Sequence, residues 1–139
     1  MKYISHSYDE TNSLGQRLAQ KLKRGDFLAF YGDLGAGKTC FISGIAKGLQ
    51  SLDPVSSPTF NIVHLYRGRI NLAHFDMYRI NEDMLEDTGF YDYCEDGSIV
   101  ACEWCENIPD AIPENKITIS ISYGEKEDDR IIDIEGVAL

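Results

Sequence analysis

Gly32-Asp33-Leu34-Gly35-Ala36-Gly37-Lys38-Thr39 follows the spacing G-x-x-x-x-G-K-[ST], that of a loop that wraps phosphate groups. Glycines let successive backbone N–H groups turn inward around phosphate oxygens. The Lys38 ammonium is then placed to reach the β- and γ-phosphates as a mobile point charge, and the Thr39 hydroxyl to ligate Mg²⁺. A helix beginning at the end of the loop adds the positive field of its N-terminus.

The flanks agree. Phe27-Leu28-Ala29-Phe30-Tyr31 is a short apolar run after Gly25-Asp26, as expected of a buried parallel strand. After the loop, Cys40, Phe41, Ile45, Ala46 and Leu49 recur at helical spacing, which predicts a helix over about 38–49. Strand, glycine loop and helix in that order distinguish a phosphate cradle from an ordinary flexible turn.

The same reading extends outward along the chain. Ser7 and Glu10 have capping-box spacing, and Leu14, Leu18 and Leu22 form one apolar stripe, so a helix is expected to run to about Lys23-Arg24-Gly25. Pro54 and Pro58 among serines mark a loop. Residues 61–66 and 69–75 flank Arg67-Gly68 as a β-hairpin, and Asn81 is placed to cap a short helix through Glu86. Ser98-Ile99-Val100-Ala101-Cys102 is a further apolar strand. Residues 116–123 and 130–136 form a second alternating pair around a polar turn. These elements imply one domain over residues 1–139, an α/β three-layer arrangement with a mainly parallel central sheet and antiparallel hairpin strands.

Bulk properties fit a soluble globular protein: 139 residues, 43% hydrophobic and 26% charged. No run approaches the ~18 consecutive apolar residues of a membrane span, and Met1-Lys2-Tyr3-Ile4-Ser5-His6 lacks the apolar core of a secretory signal. Four cysteines in a chain of this length predict free thiols in a cytoplasmic protein rather than a disulfide framework. The net charge is −10, and residues 81–110 carry ten acids and no Lys or Arg. A free-standing nucleic-acid binder needs a basic face, which this chain does not advertise, so little direct affinity for nucleic acid is expected. The acidic stretch suits either a solvated surface or a docking face for a basic patch on another protein.

A phosphate loop needs acids at nearby strand ends. Asp76 ends the run Ile70-Asn71-Leu72-Ala73-His74-Phe75, and Glu103 ends Ile99-Val100-Ala101-Cys102. Both are expected above the carboxyl edge of the sheet, one toward metal and the other toward the attacking water. Strand alternation aims His74 at the same face as Asp76, as a neighbour that orients the site. Cys102-x-x-Cys105 has redox or zinc spacing but no second pair, so core or surface thiols are expected. Asn115-Lys116-Ile117-Thr118 starts like a guanine-reading N-K-x-D motif but lacks its acid, which favours ATP over GTP.

Four ordered blocks carry a family likeness: the loop 32–39, Ser57-Pro58-Thr59-Phe60, His74-Phe75-Asp76-Met77-Tyr78-Arg79, and Glu103-Trp104. Over nearly its whole length the chain resembles the bacterial TsaE-type (YjeE) ATPases, which take part in threonylcarbamoyladenosine modification of tRNA. The resemblance implies a P-loop NTPase-like fold, ATP and Mg²⁺ as ligands, and nucleotide contacts from Asp33, Leu34, Gly35, Ala36, Gly37, Lys38, Thr39 and Cys40. It implies Thr59 on a switch-type loop facing the metal, and Trp104 beside the nucleotide. Thr39, Asp76 and Glu103 become the metal-linked groups, and Lys38, Asp76 and Glu103 the catalytic ones. It further implies weak ATPase activity alone and partnership with a carbamoyl-transferase complex of two paralogous proteins of TsaB and TsaD type. The family usually carries a second Thr where this chain has Cys40, expected to face the helix interior or the adenine side. It often has Pro where Cys105 stands.

Two other functions compete. A small-molecule kinase shares the loop, but needs an acceptor pocket and usually an arginine-bearing lid, and residues 81–110 hold no base. A nucleotide-sensing docking module without catalysis would not need two acids.

Overall fold

The computed structural model describes residues 1–32, 35–54 and 62–139. Within these residues seven strands form one sheet: β1 (Lys2–Ser5), β2 (Phe27–Gly32), β3 (Val63–Tyr66), β4 (Leu72–Asp76), β5 (Ile99–Glu103), β6 (Ile117–Tyr123) and β7 (Arg130–Glu135). Their order is β1-β7-β6-β2-β5-β4-β3. Pairs β2–β6, β2–β5 and β4–β5 are parallel; β1–β7, β6–β7 and β3–β4 are antiparallel. The loop-bearing strand β2 is therefore the middle strand of a parallel centre flanked by hairpins. Among the described residues three α-helices complete the main elements: α1 (Tyr8–Ala19), α2 (Lys38–Gly48) and α3 (Phe90–Glu95).

Alternation along β2 builds two cores. Leu28 and Phe30 join Leu14, Leu18, Phe41, Ile42 and Ile45 under α1 and α2. Phe27 and Ala29 face the other side with Phe75, Leu85, Phe90 and Ile108. Successive side chains of a strand point to opposite faces, so an apolar run such as β2 must be covered twice. The three layers follow from that.

Several expected boundaries move. The α1 helix starts as predicted, with Ser7 Oγ accepting the Glu10 amide at 3.1 Å, but Glu10 returns to the His6 amide rather than to Ser7. It ends at Ala19 rather than near Gly25. The amides of Gln20, Lys21 and Leu22 bond three residues back, which tightens the last turn. Leu22 stays buried beyond the helix, so the stripe outlasts it. The β3–β4 hairpin turns through 67–71, not through two residues. Arg67 is drawn to Asp53, and Arg69 donates its amide to the Leu49 carbonyl, which removes both from strand pairing. Asn81 does cap a turn: its side chain accepts the Met84 amide at the start of a 3-10 segment, Glu82–Thr88. The short helix α3 and the strand β1 are additions to the sequence reading.

Candidate active site

The loop leaves β2 at Gly32 and re-enters regular structure as α2 at Lys38. Gly35 (φ +76°) and Gly37 (φ +102°) take left-handed backbone, which side chains disfavour. Among the described residues no side chain caps the start of α2 at Gly37, which leaves its first amides open to an anion. From the far side of the sheet β7 braces the loop: Arg130 Nε donates to the Ala36 carbonyl at 2.9 Å. Its guanidinium lies 4.8 Å above the Tyr123 ring.

Gly35, Gly37, Lys38, Thr39, Asp76, Glu103 and Trp104 line one cavity of about 420 Å³. The sheet explains this convergence. Asp76 and Glu103 are register partners at the ends of adjacent parallel strands, and Phe30, next to the loop, pairs with Glu103 on the other side. Lys38 Nζ lies 3.6 Å from Glu103 Oε1 and donates to the Gly32 carbonyl at 3.5 Å. Burial pushes the Glu103 carboxyl up. The hydrogen bond from His74 and the nearby positive charges outweigh it and hold the group below the usual carboxylate range. Glu103 is thus ionised at neutral pH.

The second acid is held by its own turn. Asp76 Oδ1 accepts the Tyr78 amide at 3.0 Å. Asn107 Nδ2 donates to the carbonyls of Met77 (2.7 Å) and Tyr78 (3.1 Å), clipping this turn to the segment after Trp104. Trp104 has φ +61°, an uncommon backbone for a bulky residue, and its ring centroid lies 5.0 Å from that of Tyr78 at the cavity rim.

Of the expected site residues, Gly35, Gly37, Lys38, Thr39, Asp76, Glu103 and Trp104 share the cavity, and Ala36 is buried beside it. Asp33, Leu34 and Thr59, with the block 57–60, lie outside the described residues. Cys40 faces the helix layer: its Sγ donates to the Tyr8 carbonyl at 3.3 Å. Cys102 and Cys105 are core thiols, the first pushed well up by its contact with Cys105 and by burial. Arg79 is exposed. The sequence reading missed Arg130 and Asn107, because each acts on backbone carbonyls far along the chain.

The donors in the cavity are hard oxygens: one hydroxyl and two carboxylates. That set suits Mg²⁺, which takes a few protein oxygens and keeps several waters. The donor chemistry therefore fits the ion that the loop motif implies.

Comparison with known proteins places the chain in a family. The family described as "Threonylcarbamoyl adenosine biosynthesis protein TsaE" matches residues 5–132. The chain belongs to the TsaE family. The protein named "tRNA threonylcarbamoyladenosine biosynthesis protein TsaE" of Treponema pallidum (strain Nichols) is 35% identical over 123 residues, covering 87% of this chain and 90% of that one. The protein of the same name from Bacillus subtilis (strain 168) is 38% identical over 122 residues, covering 87% and 77%. Among solved structures, the crystal structure of Bacillus subtilis YdiB aligns with TM-score 0.78 at 31% identity, over 95% of this chain and 82% of that one. A mixed α/β, P-loop-like fold is thus common to this chain and to YdiB. No helix among the described residues is long and apolar enough to cross a membrane.

Proposed function

We propose that this protein is an ATP-hydrolysing accessory factor in threonylcarbamoyladenosine modification of tRNA. In this reading it works in the cytoplasm as one domain, residues 1–139, and its ATP turnover cycles a carbamoyl-transferase complex of TsaB- and TsaD-type partners. The observation that carries it is the meeting of Lys38, Thr39, Asp76 and Glu103 in one cavity at the mouth of a phosphate loop.

Each group has a defined task. Loop amides and the start of α2 hold the β- and γ-phosphates, and Lys38 sets its ammonium against the same oxygens. Thr39, Asp76 and Glu103 would hold Mg²⁺, which, when bound, neutralises charge on the phosphate chain. Glu103, ionised and buried, is the acceptor for a proton from an attacking water. Trp104 supplies an aromatic wall. Among the described lining residues Lys38 is the one cation: exposed Arg79, near Asp76, lies outside the lining, and Arg130 is engaged with the Ala36 carbonyl. An arginine supplied in trans is worth about 10³–10⁵ in rate. Slow turnover alone and faster turnover with the partner complex are expected.

The test is ATP hydrolysis with Mg²⁺, with and without the cognate complex, and a scan of metabolites for phosphorylated product. Equal turnover in both conditions contradicts partner dependence. A stoichiometric phosphorylated metabolite identifies a kinase instead.

A further inference from the structure

His74 is 1% exposed, in the middle of β4. Its Nε2 lies 2.7 Å from Glu103 Oε2. The register explains how the ring gets there. His74 pairs with Ala101 and Asp76 with Glu103, so all four side chains share one face of the sheet. Ala101 has only a methyl group, which leaves room for the imidazole to lean along the strand toward Glu103. An ionised carboxylate only accepts hydrogen bonds, so Nε2 carries the proton in this pair.

Two features set His74 apart from an ordinary core residue. Its Nδ1 is buried and has no hydrogen-bond partner among the described residues. Leaving a buried polar atom unpaired costs stability, and an isoleucine or leucine would fill the place without that cost. The two Glu103 oxygens are also divided: Oε2 belongs to His74, while Oε1 is the one facing Lys38 at 3.6 Å.

We propose that His74 is a positioning residue for hydrolysis, holding Glu103 Oε2 from behind so that Oε1 alone is presented to the nucleotide. This rests on the cavity being a Mg-ATP hydrolysing site. A glutamate side chain has three rotatable bonds, and the imidazole contact removes that freedom before substrate arrives. Released from it, the carboxylate is free to turn both oxygens toward Lys38. Partners that orient a site's direct ligands typically account for 10–100-fold in activity. Nucleotide affinity depends mainly on the loop amides and Lys38, which His74 does not touch.

The experiment compares wild-type protein, His74→Leu and His74→Gln, each with the partner complex. Mant-ADP affinity and kcat are measured separately, and folding is checked by thermal melting. His74→Leu is expected to lower kcat ten- to a hundredfold with affinity changed less than threefold. His74→Gln, which keeps a donor, recovers most of the loss. In the nucleotide-free protein, ¹⁵N spectra of the ring place the proton on Nε2, and Glu103→Ala shifts that signal. A folded His74→Leu protein with wild-type kcat overturns this role and leaves the hydrolytic reading standing. Equal losses of kcat and affinity in both variants show a merely structural histidine. Wild-type protein that binds mant-ADP but never hydrolyses ATP overturns the hydrolytic reading, and the role of His74 with it.

Discussion

Gly32 is where the loop departs from the middle of the sheet, and replacing it with alanine separates two costs. Its φ is +134°, a region that L side chains rarely enter. A Cβ there would press into the carbonyl oxygen of Ile121, with the carbonyl carbon at 2.9 Å and the amide nitrogen at 3.0 Å. Those atoms belong to β6, fixed by the parallel pairing of Gly32 with Ile121, so neither backbone yields freely. The dihedral strain costs about 1–3 kcal/mol. Overpacking against backbone adds about 1–3 kcal/mol. Gly32→Ala is therefore expected to lose about 2–6 kcal/mol. Unfolding entropy near 2.1 cal/mol/K per residue over this length makes each kcal/mol worth roughly 3 °C, so Tm falls by roughly 7–20 °C. Gly25→Ala is the control: it also has positive φ (+84°), but a Cβ there meets nothing within 4 Å. Its loss should be about 1 kcal/mol, or roughly 3 °C. Calorimetric melts of both variants decide the matter. Equal shifts would mean that the contact with Ile121 carries no cost, and a wild-type melt for Gly32→Ala would refute the geometry of the loop's first residue.

Three further outcomes are expected. Lys38→Ala should weaken ATP binding at least a hundredfold while the fold melts normally, read by the emission of Trp104, the one tryptophan of the chain and part of the cavity wall; unchanged affinity removes Lys38 from the phosphate site. Asn107→Ala loses two donated hydrogen bonds that clip the Asp76 turn, at about 1–2 kcal/mol, and should lower turnover more than it lowers nucleotide affinity; a drop in affinity alone would contradict this. The hydrogen bond between His6 Nδ1 and Asp129, 2.9 Å long, raises the imidazole above its ordinary 6.5 and lowers the carboxyl below its ordinary 3.8. Their attraction thus stabilises the fold fully between those two values, fading as pH rises through the raised imidazole value or falls through the lowered carboxyl value. His6→Gln should accordingly melt earlier than wild type at pH 5.5 and alongside it at pH 9, and a gap that widens with pH would reverse the assignment.

The parts of this molecule that were legible in the sequence are those whose cause is local. The apolar run 27–31, the glycine loop and the periodic helix after it each announce themselves within a dozen residues. The places of Asp76 and Glu103 at strand ends were legible because each acid directly follows an apolar run. What escaped was decided by distant partners. Lys2–Ser5 is a strand because it pairs with residues 130–133, not because of its own pattern. Arg130 reads as the polar start of a strand until the sheet brings it to the Ala36 carbonyl. Alternation placed His74 on the face of Asp76, but the reach to Glu103 depends on the small side chain of Ala101 on the next strand. The hairpin turn was read too short because Asp53 and Leu49 pull Arg67 and Arg69 away from pairing.

The strand order puts the brace of the loop and the two cavity carboxylates on opposite banks of β2. The brace from Arg130 comes from the β6–β7 bank, whereas both carboxylates come from the β5–β4 bank. Injury to one bank need not spread to the other. Under the proposed ATPase function, lesions along β7 should yield proteins that let go of nucleotide too readily yet consume what they hold. Lesions along β4 should yield the converse, a grip that never tires because nothing is spent.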